Sequence, residues 1–209
     1  MKWGSLSAMI PITALLACGG GDAPEPVTEE TLAPPQGVYG QAPPATQGTP
    51  SVVILEPVDG ETLAPPTEAA LMDQLGLSFL PRQLIVRPGQ PVEFVNSESL
   101  PHNVHLSFAE NDSTVYIADM DPDDRREIVI EQEGAYDVTC DIHPGMRAVI
   151  YVTSSPFAAF ADTDGTFVIA EVPPGSYTAR VWSAAAGLGD QRQVDVSSPS
   201  TELDLTLAP

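Results

Sequence analysis

Two histidines, a cysteine and a methionine stand where they could converge on one ion: His102, then Cys140, His143 and Met146. In an extended strand Tyr136, Val138 and Cys140 share one face, so a strand that buries the first two aims the thiol inward at its end. Steps of three residues from Cys140 to His143 and on to Met146 let a tight loop wrap these side chains around one point, while His102 has to arrive from a neighbouring strand. Two imidazoles and a thiolate in a plane, with a weak axial thioether, are the ligands expected of a blue-copper electron-transfer site. Thiolate and thioether favour Cu(I), imidazole accommodates Cu(II), and a geometry acceptable to both lets an electron pass with little rearrangement. Structural zinc rarely takes a thioether, so zinc suits the set less well. The chain has only three histidines. The third, His105, faces the opposite way from His102 in a strand and reads as a rim residue.

Charge and cysteine content narrow the setting. With 29 acidic and 8 basic residues the formal charge is −21, which excludes nucleic acid as a partner by repulsion of the phosphate backbone. Lys2 followed by the apolar run Leu6–Ala17 reads as an export signal over residues 1–17, too short to span a bilayer. The run ends in Leu15-Leu16-Ala17-Cys18, which resembles the lipobox of bacterial lipoproteins. That resemblance implies lipidation of Cys18 and an exported, membrane-anchored protein facing the periplasm or cell surface. Cys140 is then the only thiol left, so no disulfide forms within the mature chain.

The elements that must position the four residues read as all-β. Twenty-two prolines and 16 glycines favour short strands and turns over long helices. Residues 18–50 lack apolar content for a core of their own and read as a disordered tether, apart from Gly37-Val38-Tyr39-Gly40, which could be a strand recruited by a later domain. Residues 51–70 read as a connecting strand. Residues 71–154 show strands at 83–87, 91–96, 115–117, 128–130, 136–140 and 148–152, the spacing of a sandwich, and residues 68–75 could form one or two helical turns. From 155 to 209 the turns Asp162-Thr163-Asp164-Gly165 and Pro173-Pro174-Gly175 flank further strands. This last segment resembles the carboxypeptidase regulatory-like or transthyretin-like sandwich. It is short for a sandwich, so strands from Val38 to Leu55 could complete it, with the metal-bearing segment inserted between.

Residues 71–152 resemble the cupredoxin family of the plastocyanin and amicyanin type. The likeness is carried by Pro101-His102-Asn103-Val104 and by Cys140-Asp141-Ile142-His143-Pro144-Gly145-Met146. It implies a Greek-key sandwich holding one type 1 copper through His102, Cys140, His143 and Met146, with Asn103 steadying the cysteine loop. The sequence departs at Asp141, where the family commonly places Ser or Thr as the partner of that asparagine, and at Gly145, where a larger residue often packs. The implied role is a single-electron carrier, not an enzyme, exchanging electrons with a redox protein such as a cytochrome or a membrane oxidoreductase. A copper storage or delivery module is the alternative. A copper enzyme would need further histidines, and only His105 remains.

Overall fold

The computed structural model describes residues 36–60, 63–197 and 199–206. The export signal, Cys18 with its expected lipidation, and the first part of the expected tether lie outside them. Among the described residues every regular element is a strand. Along the chain, β1 (Gly37–Gln41) and β2 (Val52–Pro57) come first. There follow β3 (Ala70–Gln74), β4 (Phe79–Leu80), β5 (Gln83–Val86), β6 (Pro91–Asn96), β7 (His102–Phe108) and β8 (Ser113–Met120). Next are β9 (Arg125–Val129), β10 (Gly134–Thr139) and β11 (Arg147–Val152). The series closes with β12 (Phe157–Phe160), β13 (Thr166–Ile169), β14 (Gly175–Ser183), β15 (Gly187–Leu188), β16 (Arg192–Val196) and β17 (Ser200–Asp204).

Strands β3–β11 form an inner sandwich of two sheets, ordered β4-β3-β6-β9 and β5-β11-β10-β7-β8. Their two-residue period explains the core. Val92 and Phe94 of β6, Val104 and Leu106 of β7, Tyr136 and Val138 of β10, and Ala148 and Ile150 of β11 all point between the sheets and pack together. Residues 68–75, where one or two helical turns were an open reading, contain a strand instead. β3 runs parallel to β6 with Met72 opposite Phe94 and Gln74 opposite Asn96, and Met72 and Gln74 are both fully buried. Pairing with β6 satisfies backbone groups that a lone helical turn would leave open, and it outweighs local propensity.

The remaining strands form a flanking sandwich of sheets β13-β1-β17 and β12-β2-β14-β15, with β16 also on β14. Val38, Phe167, Ile169 and Leu203 on one sheet meet Val53, Leu55, Tyr177 and Val194 on the other. The tether expected to reach residue 50 therefore ends earlier, because Gly37–Gln41 is a central strand, antiparallel to β13 and parallel to β17. Its own composition could not reveal apolar partners that lie more than 120 residues further on. Gly40 is required there: φ is +154°, and a Cβ would collide with the Leu203 carbonyl. In chain order β3–β11 lie between β2 and β12, and those two strands are themselves paired, Leu55 opposite Phe157.

The four-residue run Val52-Val53-Ile54-Leu55 explains how the sandwiches are joined. An unbroken apolar run marks a strand covered on both faces. Val53 and Leu55 enter the flanking core, whereas Val52 and Ile54 join Ala135, Tyr151 and Trp182 in a separate cluster against the outer face of the inner sandwich. The Tyr151 and Trp182 rings lie 5.8 Å apart at 52°, a favourable tilted arrangement. Trp182→Ala should destabilise the fold by about 3–5 kcal/mol, read from denaturant unfolding. Burial, the main cause, pushes the Tyr151 hydroxyl up to about 12. The fold thus resists an ionisation that the unfolded chain undergoes near pH 10. Its contribution to stability is complete below about pH 10 and is lost between about pH 10 and 12. Denaturant midpoints measured across that window should fall, and the fall should be smaller in Tyr151→Phe.

Candidate metal centre

One end of the inner sandwich gathers the residues singled out above. There β3 ends at Gln74 and β6 at Asn96, β7 begins at His102, and β10 ends one residue before Cys140. His102 is fully buried and Cys140 is 4% exposed, while His143 is only partly buried. The Cys140 Sγ lies 3.9 Å from His102 Nδ1 and 3.9 Å from His143 Nδ1, and the two nitrogens are 3.0 Å apart. A point in the plane of these atoms is about 2.1 Å from all three. Metal sites hold imidazole nitrogen at about 2.0–2.1 Å and thiolate sulfur at about 2.3 Å. The three donors therefore fit a single ion, and a soft thiolate with two imidazoles suits copper.

Met146 is buried in the same core cluster as Cys140, and its N–H donates to the His143 carbonyl at 3.2 Å, closing the loop on itself. Gly145 sits at φ +103° with open space around its missing Cβ. The backbone conformation, not crowding, explains why no larger residue stands there.

A ring of hydrogen bonds holds the donors in place. Glu98 Oε2 accepts from His102 Nε2 at 3.2 Å and from the Leu77 N–H at 3.1 Å. A carboxylate only accepts, so the proton of His102 resides on Nε2 and the lone pair on Nδ1 faces Cys140 and His143. The Leu77 N–H, and then His102, hold the Glu98 carboxyl below the usual carboxylate range. Asn103 and Asp141 bond reciprocally: Asn103 Nδ2 donates to Asp141 Oδ2 at 3.0 Å, and the Asp141 N–H donates to Asn103 Oδ1 at 2.7 Å. The Asn103 N–H in turn points at Cys140 Sγ, 3.5 Å away. Asp141 thus serves as the partner of Asn103 at the position where the resemblance led us to expect Ser or Thr. Its free oxygen also accepts from His105 Nδ1 at 3.0 Å, and the His105 and Asn103 contacts hold its carboxyl low.

His105 faces away from the centre, as the strand period requires. Its Nε2 meets Thr114 Oγ1 at 2.9 Å, so both ring nitrogens are engaged. Glu98 and Asn96 had no assigned role from sequence. Asn96 Nδ2 donates to the carbonyls of Leu100 and Met120, and its Oδ1 accepts the Glu98 N–H, which shapes the loop that delivers His102. An Asn opening a polar turn four residues before Leu100 was the available signal.

Residues 67–153 match the model of a family described as copper binding proteins, plastocyanin/azurin family. The inner sandwich is therefore similar in sequence to those copper-binding proteins. Amicyanin from Paracoccus versutus is 27% identical over 88 residues, which cover 42% of this chain and 67% of that protein. Among solved structures, a purple cupredoxin from Nitrosopumilus maritimus is 23% identical, with 40% of this chain and 99% of that one covered and a TM-score of 0.37. A reduced amicyanin variant is 24% identical, with 49% and 99% covered and a TM-score of 0.38. Copper is the metal that the cupredoxin family binds, and His102, Cys140 and His143 form the group that can hold it here.

Ligands confined to the folded state stabilise it by mass action. One equivalent of copper should raise the unfolding temperature, and Cys140→Ser should abolish most of that rise, as read by calorimetry. His105→Ala should leave both the copper stoichiometry and the visible spectrum of the copper-loaded protein unchanged; loss of the metal would move a ligand role to His105.

Proposed function

We propose that this protein is a single-electron carrier whose type 1 copper is held by His102, Cys140, His143 and Met146. The observation that carries the reading is the convergence of one thiol sulfur and two imidazole nitrogens within 4 Å in a nearly dry pocket. Copper, when bound, supplies a one-electron couple. The chain supplies everything that makes the couple fast. Cys140, on the loop after β10, brings an anionic sulfur, and the Asn103 N–H aimed at it disperses part of that charge. Glu98 fixes the tautomer and plane of His102. The buried thioether of Met146 would complete the set that holds the ion. Because these groups sit on paired strands and a bonded loop, they need not move when the charge changes.

Of the three clustered donors, only His143 approaches solvent. We assign its ring as the exit for the electron. Leu75, Leu77, Leu100 and Ile142 are exposed and belong to the loops at the same end as the ring, so an apolar rim marks that end of an otherwise acidic chain. Pro144, Gly145 and Arg147 flank it on the cysteine loop. Such a rim suits a small, transient contact with a redox protein, a cytochrome or a membrane oxidoreductase. With His105 engaged elsewhere, no further imidazole is on hand for a catalytic copper, which supports a carrier over an enzyme. The export signal and a lipid on Cys18 complete the proposal, placing the carrier at a membrane facing the periplasm or cell surface. The flanking sandwich is read as carboxypeptidase regulatory-like.

Addition of Cu(II) to the chain lacking its leader should give an intense blue charge-transfer band that is absent in Cys140→Ser. Voltammetry should then be reversible for one electron. A colourless oxidised holoprotein would sink the proposal, and copper that dissociates on reduction would favour storage or delivery instead.

A further inference from the structure

Gln74 is an anomaly in the core. It is the last residue of β3 and fully buried, paired with the buried Phe79 of β4 on one side and the buried Asn96 of β6 on the other. Its Nε2 donates to the main-chain carbonyl of Asn103 at 3.0 Å, while its Oε1 has no partner among the described residues. Exchanging the amide's ends would set two oxygens against each other, so the acceptor carbonyl fixes the orientation. An unpartnered buried oxygen costs about 1–3 kcal/mol, which offsets what the bond to the Asn103 carbonyl contributes. A buried polar side chain kept with no net gain in stability calls for a role at the site beside it.

The geometry supplies one. β3 and β7 belong to opposite sheets, so the Gln74 amide is a hydrogen bond across the core at the metal end of the sandwich. Asn103, which it grips, follows His102 directly and is the residue whose N–H points at Cys140 Sγ. Its side chain is already tied to Asp141 on both polar atoms. With the carbonyl held by Gln74, every polar group of Asn103 has a partner, and its main chain cannot rock about the strand axis. We propose that Gln74 is a positioning residue for the copper couple: by clamping the Asn103 main chain across the core, it sets how closely that N–H approaches the Cys140 sulfur. This rests on the copper reading above.

A hydrogen bond to the thiolate lowers the sulfur's electron density and so favours the reduced state, which carries one positive charge fewer on the metal. Slackening the clamp should weaken that bond and favour the oxidised state. The test is to load the full chain carrying Gln74→Met, which keeps the shape and removes the donor, and Gln74→Leu beside it. Both should remain blue, with the charge-transfer band displaced. Reduction should become less favourable by about tenfold, equal to a fall of about 59 mV for a one-electron couple. The copper-free variants should unfold close to the parent's temperature, because removing the orphaned oxygen offsets the hydrogen bond lost to the Asn103 carbonyl. A role in stability alone predicts the reverse pattern: a lower unfolding temperature with potential and band unmoved, and that result overturns the proposal. Should the leucine variant fail to fold, the methionine variant decides by the same two readings. A parent protein that is colourless with copper defeats the copper reading itself, whereas a blue parent with unshifted variants defeats only the role of Gln74.

Discussion

Three atoms bearing lone pairs, one sulfur and two nitrogens, are held within 4 Å of one another inside a protein core. With all three lone pairs aimed at one point they repel, and burial deprives them of water. The rest of the sandwich therefore has to impose that arrangement. The imposition is visible as hydrogen bonds directed at the outer atoms of each ligand: Glu98 behind His102, Asn103 behind Cys140, and the His143 carbonyl bonded to the Met146 N–H. A metal ion satisfies all three lone pairs at once, which is why such a centre is stable when filled and tuned by its supports rather than by the ligands alone.

Asn103 is the hub of those supports. Its side chain anchors the loop that carries Cys140 and His143, and its main chain belongs to the strand that carries His102. Two ligand-bearing segments separated by 38 positions are therefore linked through one residue. Replacing the usual hydroxyl partner by Asp141 extends the network outward to His105 and Thr114. The charge of Asp141 is thereby spread over a surface histidine instead of pressing directly on the thiolate.

The donor residues were legible in the sequence because a strand's period and a short loop leave little freedom: Cys140 must follow Tyr136 and Val138 inward, and His105 must oppose His102. That Asn103 steadies the cysteine loop was legible through resemblance, but not that Asp141, a departure from the expected Ser or Thr, returns the bond through its own N–H. What escaped is what depends on long-range pairing. Strand β3 carries no alternating pattern strong enough to outweigh a helical reading until β6 is placed beside it. Gln74 looks like any surface amide when its strand is not recognised, and Glu98 gains meaning only once the loop after Asn96 folds back on His102. Gly37–Gly40 was legible as a possible strand recruited by a later domain, but not its two neighbours, which come from the far end of the chain.

The insertion has a consequence for how the chain comes together in time. Val52-Val53-Ile54-Leu55 is complete early, yet the strands that cover it, β12 and β14, begin only at Phe157 and Gly175. Whether the polypeptide emerges from a ribosome or a translocation pore, a sticky apolar segment must wait through about 100 residues before its partners appear. During that wait the nine strands between can close on themselves, since their pairings are internal. Assembly then runs from the middle outward, with the outer sandwich zipping shut last around both ends of a finished copper module.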